Sequence, residues 1–301
     1  MEDAQNRVAF VVSPDYDRML IREFLMAHNI SERALKRLRN RGVIYCNGQE
    51  ITWRKVVHAG DKIIIVYPIH DKSNYLKSEE VSLEILYEDR DIVLINKQAG
   101  ICIHPTLAHP SGTLANGLMY HWLEAKDEAS FHAVNRIDRD TSGIVLVAKN
   151  SFSAQQLFLQ RQQQHLLRSY IALVHGVIRR ATGSVDLPIE KYDGRTTKRK
   201  ISNEGQRAVT FYKVLTIFED YTLLGLKPET GRTHQIRVHL AHLGHPLVGD
   251  RLYGGSNDKI SRHCLHADRL CFFHPRNGNL LSFQTPCPED IGSLIKNLAS
   301  R

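Results

Sequence analysis

Residues 135–143 read NRIDRDTSG, with aspartates and arginines alternating ahead of a Thr-Ser-Gly turn. A carboxylate among arginines can serve as a nucleophile or general base, because nearby cations favour its charged form. The two aspartates differ in prospect. Asp140 opens Asp-Thr-Ser-Gly, a run whose side chains bond nearby backbone groups, so it is expected to shape a turn. Asp138 stands outside that turn chemistry with arginines on both sides, and is the candidate for catalysis. The plain alternative is a solvated charged loop.

A second candidate lies in GRTHQIR, residues 231–237. Gly231 permits unusual backbone angles before a helix start, with Thr233 available as the cap. Arg237 falls one turn into that helix, at the edge of its apolar face, where a guanidinium can grip a carboxylate with two parallel bonds. A surface arginine pairing with any acid is the competing reading. His234, His239, His242 and His245 crowd the same region, and His239 and His242 lie one helical turn apart. No distant set of further ligands accompanies them and HExxH is absent. The expectation is therefore a helix that buries Ile236, Leu240 and Leu243, and no metal. No Walker-type phosphate loop, GxGxxG turn or GxSxG elbow is present, so no cofactor is expected.

These side chains need a scaffold. DIVLINK, GIVLVAK, SYIALVHG and AVTFYKVL are rich in β-branched and aromatic residues and bounded by turn residues, which predicts strands. SAQQLFLQRQQQHLL, after Ser151 as cap, predicts a helix between them. Strands and helices do not alternate regularly, which excludes a doubly wound parallel sheet. An α+β domain around a mixed, largely antiparallel sheet is expected over residues 81–301. Lys97 ends the first of these strands, where it could support the site or contact phosphate.

Residues 17–68 predict a smaller α/β unit. Leu20, Ile21, Phe24 and Leu25 have helical spacing. A second helix, capped by Ser31 and ended by Gly42, carries Ala34, Leu35 and Leu38 on its apolar face. Arg33, Lys36, Arg37 and Asn40 form a basic stripe that Arg41 extends. Asn47-Gly48 predicts a hairpin turn, and GDKIIIVYP a closing strand. Residues 69–80 are polar, charged and without periodicity, as in a linker.

The 301 residues carry a net charge of +8, which favours anionic partners with nucleic acid first. GRTTKRK, residues 194–200, suits an RNA backbone, or is simply a solvated loop. The start of the chain has acids where a signal peptide would have lysines, and no stretch reaches the length of a membrane span. Five cysteines, an odd number without CxxC spacing, suit free thiols in a reducing compartment. A cytoplasmic, monomeric protein is expected.

In order along the chain, these segments resemble the RluA-type pseudouridine synthases. NRIDRDTSG is similar to that family's Arg-Leu-Asp-x-x-Thr-Ser-Gly motif, EDRDIVLINKQAGICIHP to its first motif, RSYIALVHG to its tyrosine segment, ETGRTHQIRVHLAHLGHPLVGDRLYG to its arginine motif, and LHADRLCFFHP to its C-terminal strand. ALKRLRNRGVIYCNG with AGDKIII resembles the small RNA-binding module of a ribosomal protein that many members carry. Asn135, Ile137 and Gln98 stand where the family commonly has His, Leu and Pro. The resemblance implies isomerisation of uridine to pseudouridine in ribosomal or transfer RNA, without metal or cofactor. It implies Asp138 as the catalytic residue, Arg237 as its partner and Tyr170 stacked on the uracil. Arg136 would fill the gap left by a flipped base, and Arg33, Lys36, Arg37 and Arg41 would bind RNA. From position alone, Tyr170 alternates with Ala172 and Val174 and could be core. Whether Asp138 attacks the anomeric carbon or removes a proton from the 2′ carbon stays open. Two other readings are an RNA-binding or assembly factor with a relic site, and a glycoside hydrolase using Asp138 with Asp140.

Overall fold

The structure, a computed structural model, describes residues 7–28, 30, 32–67, 76–193, 197–256 and 258–300. The expected cap Ser31, much of the linker and part of GRTTKRK lie outside them, as do the side chains of Arg33 and Arg37.

The N-terminal unit contains β1 (Arg7–Val11), β2 (Met19–Leu20), α1 (Ile21–Ala27), α2 (Glu32–Arg41), β3 (Val43–Cys46), β4 (Gln49–Glu50), β5 (Val56–Val57) and β6 (Lys62–Val66). An antiparallel sheet runs β1-β6-β3-β4. The sheet thus begins with Arg7–Val11, ahead of the boundary expected at Asp17; VAFVV is too short to reveal its partner strand. Asn47 and Gly48 turn β3 into β4 with φ of 51° and 85°, the paired positive values a tight hairpin requires. Ile21, Phe24, Leu25, Leu35 and Leu38 bury the helices against Val8, Ile44, Ile63 and Ile65.

The larger unit continues with β7 (Ile85–Glu88), β8 (Ile92–Lys97), α3 (Leu114–Glu124), β9 (His132–Ala133), β10 (Ser142–Ala148), α4 (Ser151–Gln162) and β11 (Leu167–His175). Then come β12 (Thr182–Asp186), β13 (Ile189–Lys191), β14 (Arg199–Ile201), β15 (Val209–Ile217), β16 (Tyr221–Pro228), α5 (Gln235–His242), β17 (Leu265–Phe273), β18 (Leu280–Gln284) and α6 (Glu289–Ala299). A ten-stranded sheet runs β12-β15-β16-β11-β17-β10-β8-β7, with β18 paired to β17 and β9 to β10. Every pairing in it is antiparallel except β10 with β17. The mixed, largely antiparallel α+β architecture expected from the sequence is borne out.

The unbroken apolar runs of β8 and β10 follow from burial on both faces. Val93, Ile95, Val145 and Val147 meet Leu114, Leu118 and Trp122 of α3, while Ile92, Leu94, Ile144 and Leu146 meet Leu157 of α4. Burying a leucine of this kind contributes roughly 2 kcal/mol. Helix α4 is capped by Asn150, whose side chain accepts from the Ser153 amide, and not by Ser151, which is its first residue. The parallel contact of β10 with β17 joins the two halves of the sheet at Ser142–His266 and Gly143–Ala267. Gly143 is needed there: its φ is 114°, and a side chain would collide with the Ala267 backbone. This junction includes the Ser-Gly that ends NRIDRDTSG, so the loop opens where the two halves meet.

The smaller unit docks on the larger one. Phe152 of α4 completes its core beside Phe10 and Tyr67, and Arg276, forked onto Asp91, donates to the Arg7 carbonyl at 3.0 Å.

Candidate active site

The loop bearing Asp138 is tied down on every side. Buried Asn135 splints it to β10: its amide donates to the Ile144 carbonyl at 3.0 Å and its oxygen accepts the Leu146 amide at 2.7 Å. The Thr141 amide donates to the Asp138 carbonyl at 3.1 Å, closing the turn. Asp138 therefore begins the turn through its backbone. The Asp140 carboxylate, expected to bond nearby backbone, is instead forked to Arg139 at 3.0 and 3.2 Å. Thr141 and Ser142 hydroxyls bond His263 and His266 at 2.7 and 3.0 Å. Arg262, paired with Asp290, donates to the Asp140 carbonyl at 3.0 Å.

Lys97 was expected either to support the site or to contact phosphate, and its contacts are those of a support. Its ammonium is buried and donates to the carbonyls of Gln98, Ile101 and Arg139 at 2.8, 2.9 and 2.8 Å. All three donors of the ammonium are used, so it holds the loop that bears Asp138. Burial pulls its pKa down to about 7, with Asp140 acting in the opposite direction.

Arg237 reaches Asp138, the pairing the family resemblance implied, with Nη1 3.1 Å from Oδ2. Its two-pronged partner is another residue. Nε and Nη2 donate to the two oxygens of Asp250 at 2.8 and 2.9 Å, and the Asp250 side chain is only 1% exposed. Burial works against the Arg237 cation, yet the bonds and charge of Asp250, with Asp138, carry its pKa above the usual value. Asp250 thus aims the one remaining nitrogen at Asp138. Asp138 Oδ1 has no partner among the described residues.

The turn before α5 is not capped by Thr233. His234 occupies the cap position in a left-handed conformation, φ 56°. Buried Gln235 fastens the turn: its oxygen accepts from Arg232 N–H and the Thr230 hydroxyl, and its amide donates to the Val209 carbonyl and Thr210. His234 Nε2 lies 3.8 Å from Asp138 Oδ2, and Nδ1 bonds the Tyr253 hydroxyl at 2.9 Å. The Tyr253 ring also lies under the Arg237 guanidinium, 5.2 Å from its centre. Of the other histidines in this run, His239 bonds Thr210 and the Leu187 carbonyl, and His242 is exposed.

Tyr170, on β11, is buried with Ile236 and Leu240 of α5 and Leu226 of β16. Burial pushes its phenol pKa up, and Asp138 adds to the rise. Arg136 is exposed and unpaired among the described residues. Of the basic stripe, Lys36 and Arg41 are exposed on α2. Among the residues of GRTTKRK, Lys198 lies over the Tyr192 and Tyr253 rings, and Lys200 pairs with Glu190 and Asp193.

Asp250, Tyr253 and His263 were not singled out from sequence, and His234 was weighed only as a metal ligand. GDRLYG carried a faint signal, a carboxylate and an aromatic held between glycines.

The sequence model of the family described as RNA pseudouridylate synthase matches residues 91–242. The chain is 40% identical to the uncharacterized RNA pseudouridine synthase YjbO of Bacillus subtilis (strain 168) over 279 residues, 92% of this chain and 99% of the relative. The chain belongs to the RNA pseudouridylate synthase family. This pseudouridine synthase is also 38% identical to ribosomal large subunit pseudouridine synthase D of Buchnera aphidicola, over 78% of this chain and 80% of that one. A solved human structure, RNA pseudouridylate synthase domain containing 4, matches with a TM-score of 0.59 at 25% identity, covering 72% of this chain and 93% of the other. Human RNA pseudouridylate synthase domain containing 1 gives 0.57 at 26% identity, covering 73% and 96%. The family match ends at His242, before Asp250, so the partner that aims Arg237 lies beyond it.

One prediction arises from the histidines behind the loop. Burial pushes both His263 and His266 from the usual 6.5 down to about 4. Between those values the unfolded chain binds more protons than the folded one, so stability is full above pH 6.5 and falls as the pH drops toward 4. Each histidine contributes at most about 1.4 kcal/mol per pH unit. The urea midpoint should fall between pH 6.5 and 4.5. His263→Gln, which keeps a donor for Thr141, should reduce that fall; an unchanged pH dependence counts against the argument.

Proposed function

We propose that this pseudouridine synthase isomerises uridines in structured RNA, large-subunit ribosomal RNA first, with Asp138 as the catalytic group and no cofactor. The observation that carries this reading is the Asp138–Arg237 pair, a carboxylate with one oxygen held at 3.1 Å and the other unpartnered among the described residues. The choice of RNA rests on relatives named ribosomal large subunit pseudouridine synthase D.

The free oxygen attacks the anomeric carbon of ribose or takes a proton from the 2′ carbon; either route uses the carboxylate that Arg237 holds in place. The C1′–N1 bond breaks and uracil turns; carbon 5 joins C1′ as the bond to Asp138 breaks or the 2′ proton returns, and the carbon 5 proton is lost while N1 gains one. Reaching the base requires flipping it from the stack. Arg136, exposed two residues before Asp138, occupies the vacated space. Tyr170 stacks on uracil, and its raised pKa keeps the phenol neutral at physiological pH. The N-terminal unit binds flanking RNA through Arg33, Lys36, Arg37 and Arg41. The enzyme works in the cytoplasm, in keeping with its five unpaired cysteines.

Purified enzyme incubated with large-subunit ribosomal RNA and transfer RNA transcripts, followed by pseudouridine mapping, tests this reading. Site-specific conversion in the ribosomal RNA is expected; no conversion in either RNA defeats it. The basic stripe has its own test. Lys36→Glu with Arg41→Glu should weaken RNA affinity roughly tenfold at about 0.1 M salt and flatten the log–log salt dependence by about 1 to 2, because each lost phosphate contact removes released counterions. The turnover rate at saturating RNA should stay unchanged. Filter binding across a salt series reads the first, single-turnover assays the second.

A further inference from the structure

Beside the Asp138–Arg237 pair stands a group that the steps above do not use. The His234 side chain is 10% exposed and packs against the catalytic carboxylate, with Nε2 3.8 Å from Asp138 Oδ2. That separation is too long for a hydrogen bond, and Nε2 has no other partner among the described residues. A ring nitrogen without a hydrogen-bond partner, on a largely covered side chain beside a reactive carboxylate, is positioned for a group the substrate brings.

The other side of the ring is tied to Tyr253. Tyr253 Oη accepts the Arg199 amide at 2.8 Å and bonds His234 Nδ1 at 2.9 Å. The amide takes one lone pair of Oη and leaves the phenol proton free to be given to Nδ1, the arrangement the proposal uses. The imidazole then carries its own proton on Nε2, facing the space next to Asp138. The backbone agrees that this placement is specific. His234 adopts φ 56°, an uncommon conformation for a residue with a side chain, on the tightly bonded turn that Gln235 fastens.

Resting on the assignment of Asp138 as the catalytic group, we propose that His234 is a second catalytic residue, donating its Nε2–H to the O2 carbonyl of the target uracil as the glycosidic bond breaks. When C1′–N1 breaks, its electron pair goes to the base. Asp138 meanwhile bonds C1′ or takes the 2′ proton, so uracil leaves as an anion. Its charge spreads over N1 and the flanking O2, the carbonyl closest to the anomeric carbon. A fixed donor aimed there stabilises the transition state more than the bound uridine, which is the condition for raising rate rather than affinity. Burial lowers the pKa of His234, Arg237 and Arg199 lower it further, and Asp138 opposes, so the ring is held as a neutral donor near neutral pH.

The two amide replacements separate this role from a structural one. His234→Gln puts an amide N–H where Nε2 was and loses the Tyr253 bond. His234→Asn reaches only Tyr253 and tolerates the left-handed backbone better. If His234 is the donor, Asn loses about 100-fold in single-turnover rate at saturating RNA while Gln stays within about tenfold, and RNA affinity is unchanged in both. An active Asn variant beside an inactive Gln variant overturns the proposal, because it assigns His234 to holding the turn. A second arm uses RNA with 2-thiouridine at the target, since sulfur accepts hydrogen bonds weakly. The thio substitution should slow the wild-type enzyme and slow the Asn variant much less. Equal slowing of both removes the O2 contact and with it the proposal. Asp138→Asn in the same assay reports separately on the underlying reading: activity in that variant defeats the Asp138 assignment whatever the His234 variants do.

Discussion

Asp138→Asn is expected to abolish pseudouridine formation, by at least about 10⁴-fold in single-turnover rate, the scale seen when a nucleophile is removed from an enzyme that otherwise binds normally. The replacement keeps the size of the side chain and an oxygen for Arg237 Nη1, now 3.1 Å from Oδ2. It removes the charge and the nucleophilicity. RNA affinity should change by less than about threefold, because most of it comes from phosphate contacts made elsewhere. Asp140→Asn is the control. Its carboxylate is forked to Arg139, so the variant should retain activity within about tenfold of wild type. Gel-shift titration and single-turnover assays on the same RNA read both quantities. Turnover by the Asp138 variant, or its loss in the Asp140 variant, would move the chemistry to the wrong carboxylate. The second outcome would revive a two-carboxylate mechanism of the glycosidase kind.

Asp250→Leu carries the largest expected cost in stability. Asp250 takes two of the three bonds that satisfy the buried Arg237 guanidinium. Removing one partner of such a pair strands a charge out of water, at a cost of about 3–5 kcal/mol. Arg237 would also lose the fork that aims Nη1 at Asp138, so the rate should fall together with the urea midpoint. The double variant Arg237→Met with Asp250→Leu distinguishes the two effects. Replacing the whole pair by apolar side chains should restore most of the stability, while activity stays low because Asp138 is left without its cation. Denaturation curves and single-turnover rates on the three proteins check this. A double variant as unstable as the single one would mean that the pair does not set the cost, and an active one would mean that Arg237 is dispensable.

These two carboxylates show how differently sequence informs about a site. Asp138 stood out from Asp140 in the chain itself, because arginines flank it and the neighbouring residues suit a turn. Even there the bonding differed in detail: the Asp138 carbonyl closes the turn, and the Asp140 side chain faces Arg139. Asp250 gave no comparable signal. Its importance lies in a bond to Arg237, and a fork of this kind depends on two loops meeting at a set angle.

The same division holds in the fold. The strand DIVLINK, the strand GIVLVAK and the Asn-Gly hairpin were legible because periodicity, burial on both faces and positive φ are properties of neighbouring residues. Cap positions missed by one residue, Asn150 for Ser151 and His234 for Thr233, because adjacent polar residues offer similar bonds. β1 escaped because its five residues are stabilised by pairing with β6, far along the chain. By itself, the sequence determined the α+β class, the family and the aspartate most suited to catalysis, since ordered motifs and local spacing carry all three. Only the tertiary structure decided that Lys97 is a loop support, that Asp250 grips Arg237 and that His234 faces Asp138. Burial and charge pairing between distant segments arise when the two halves of the sheet close on each other, and no local pattern encodes them.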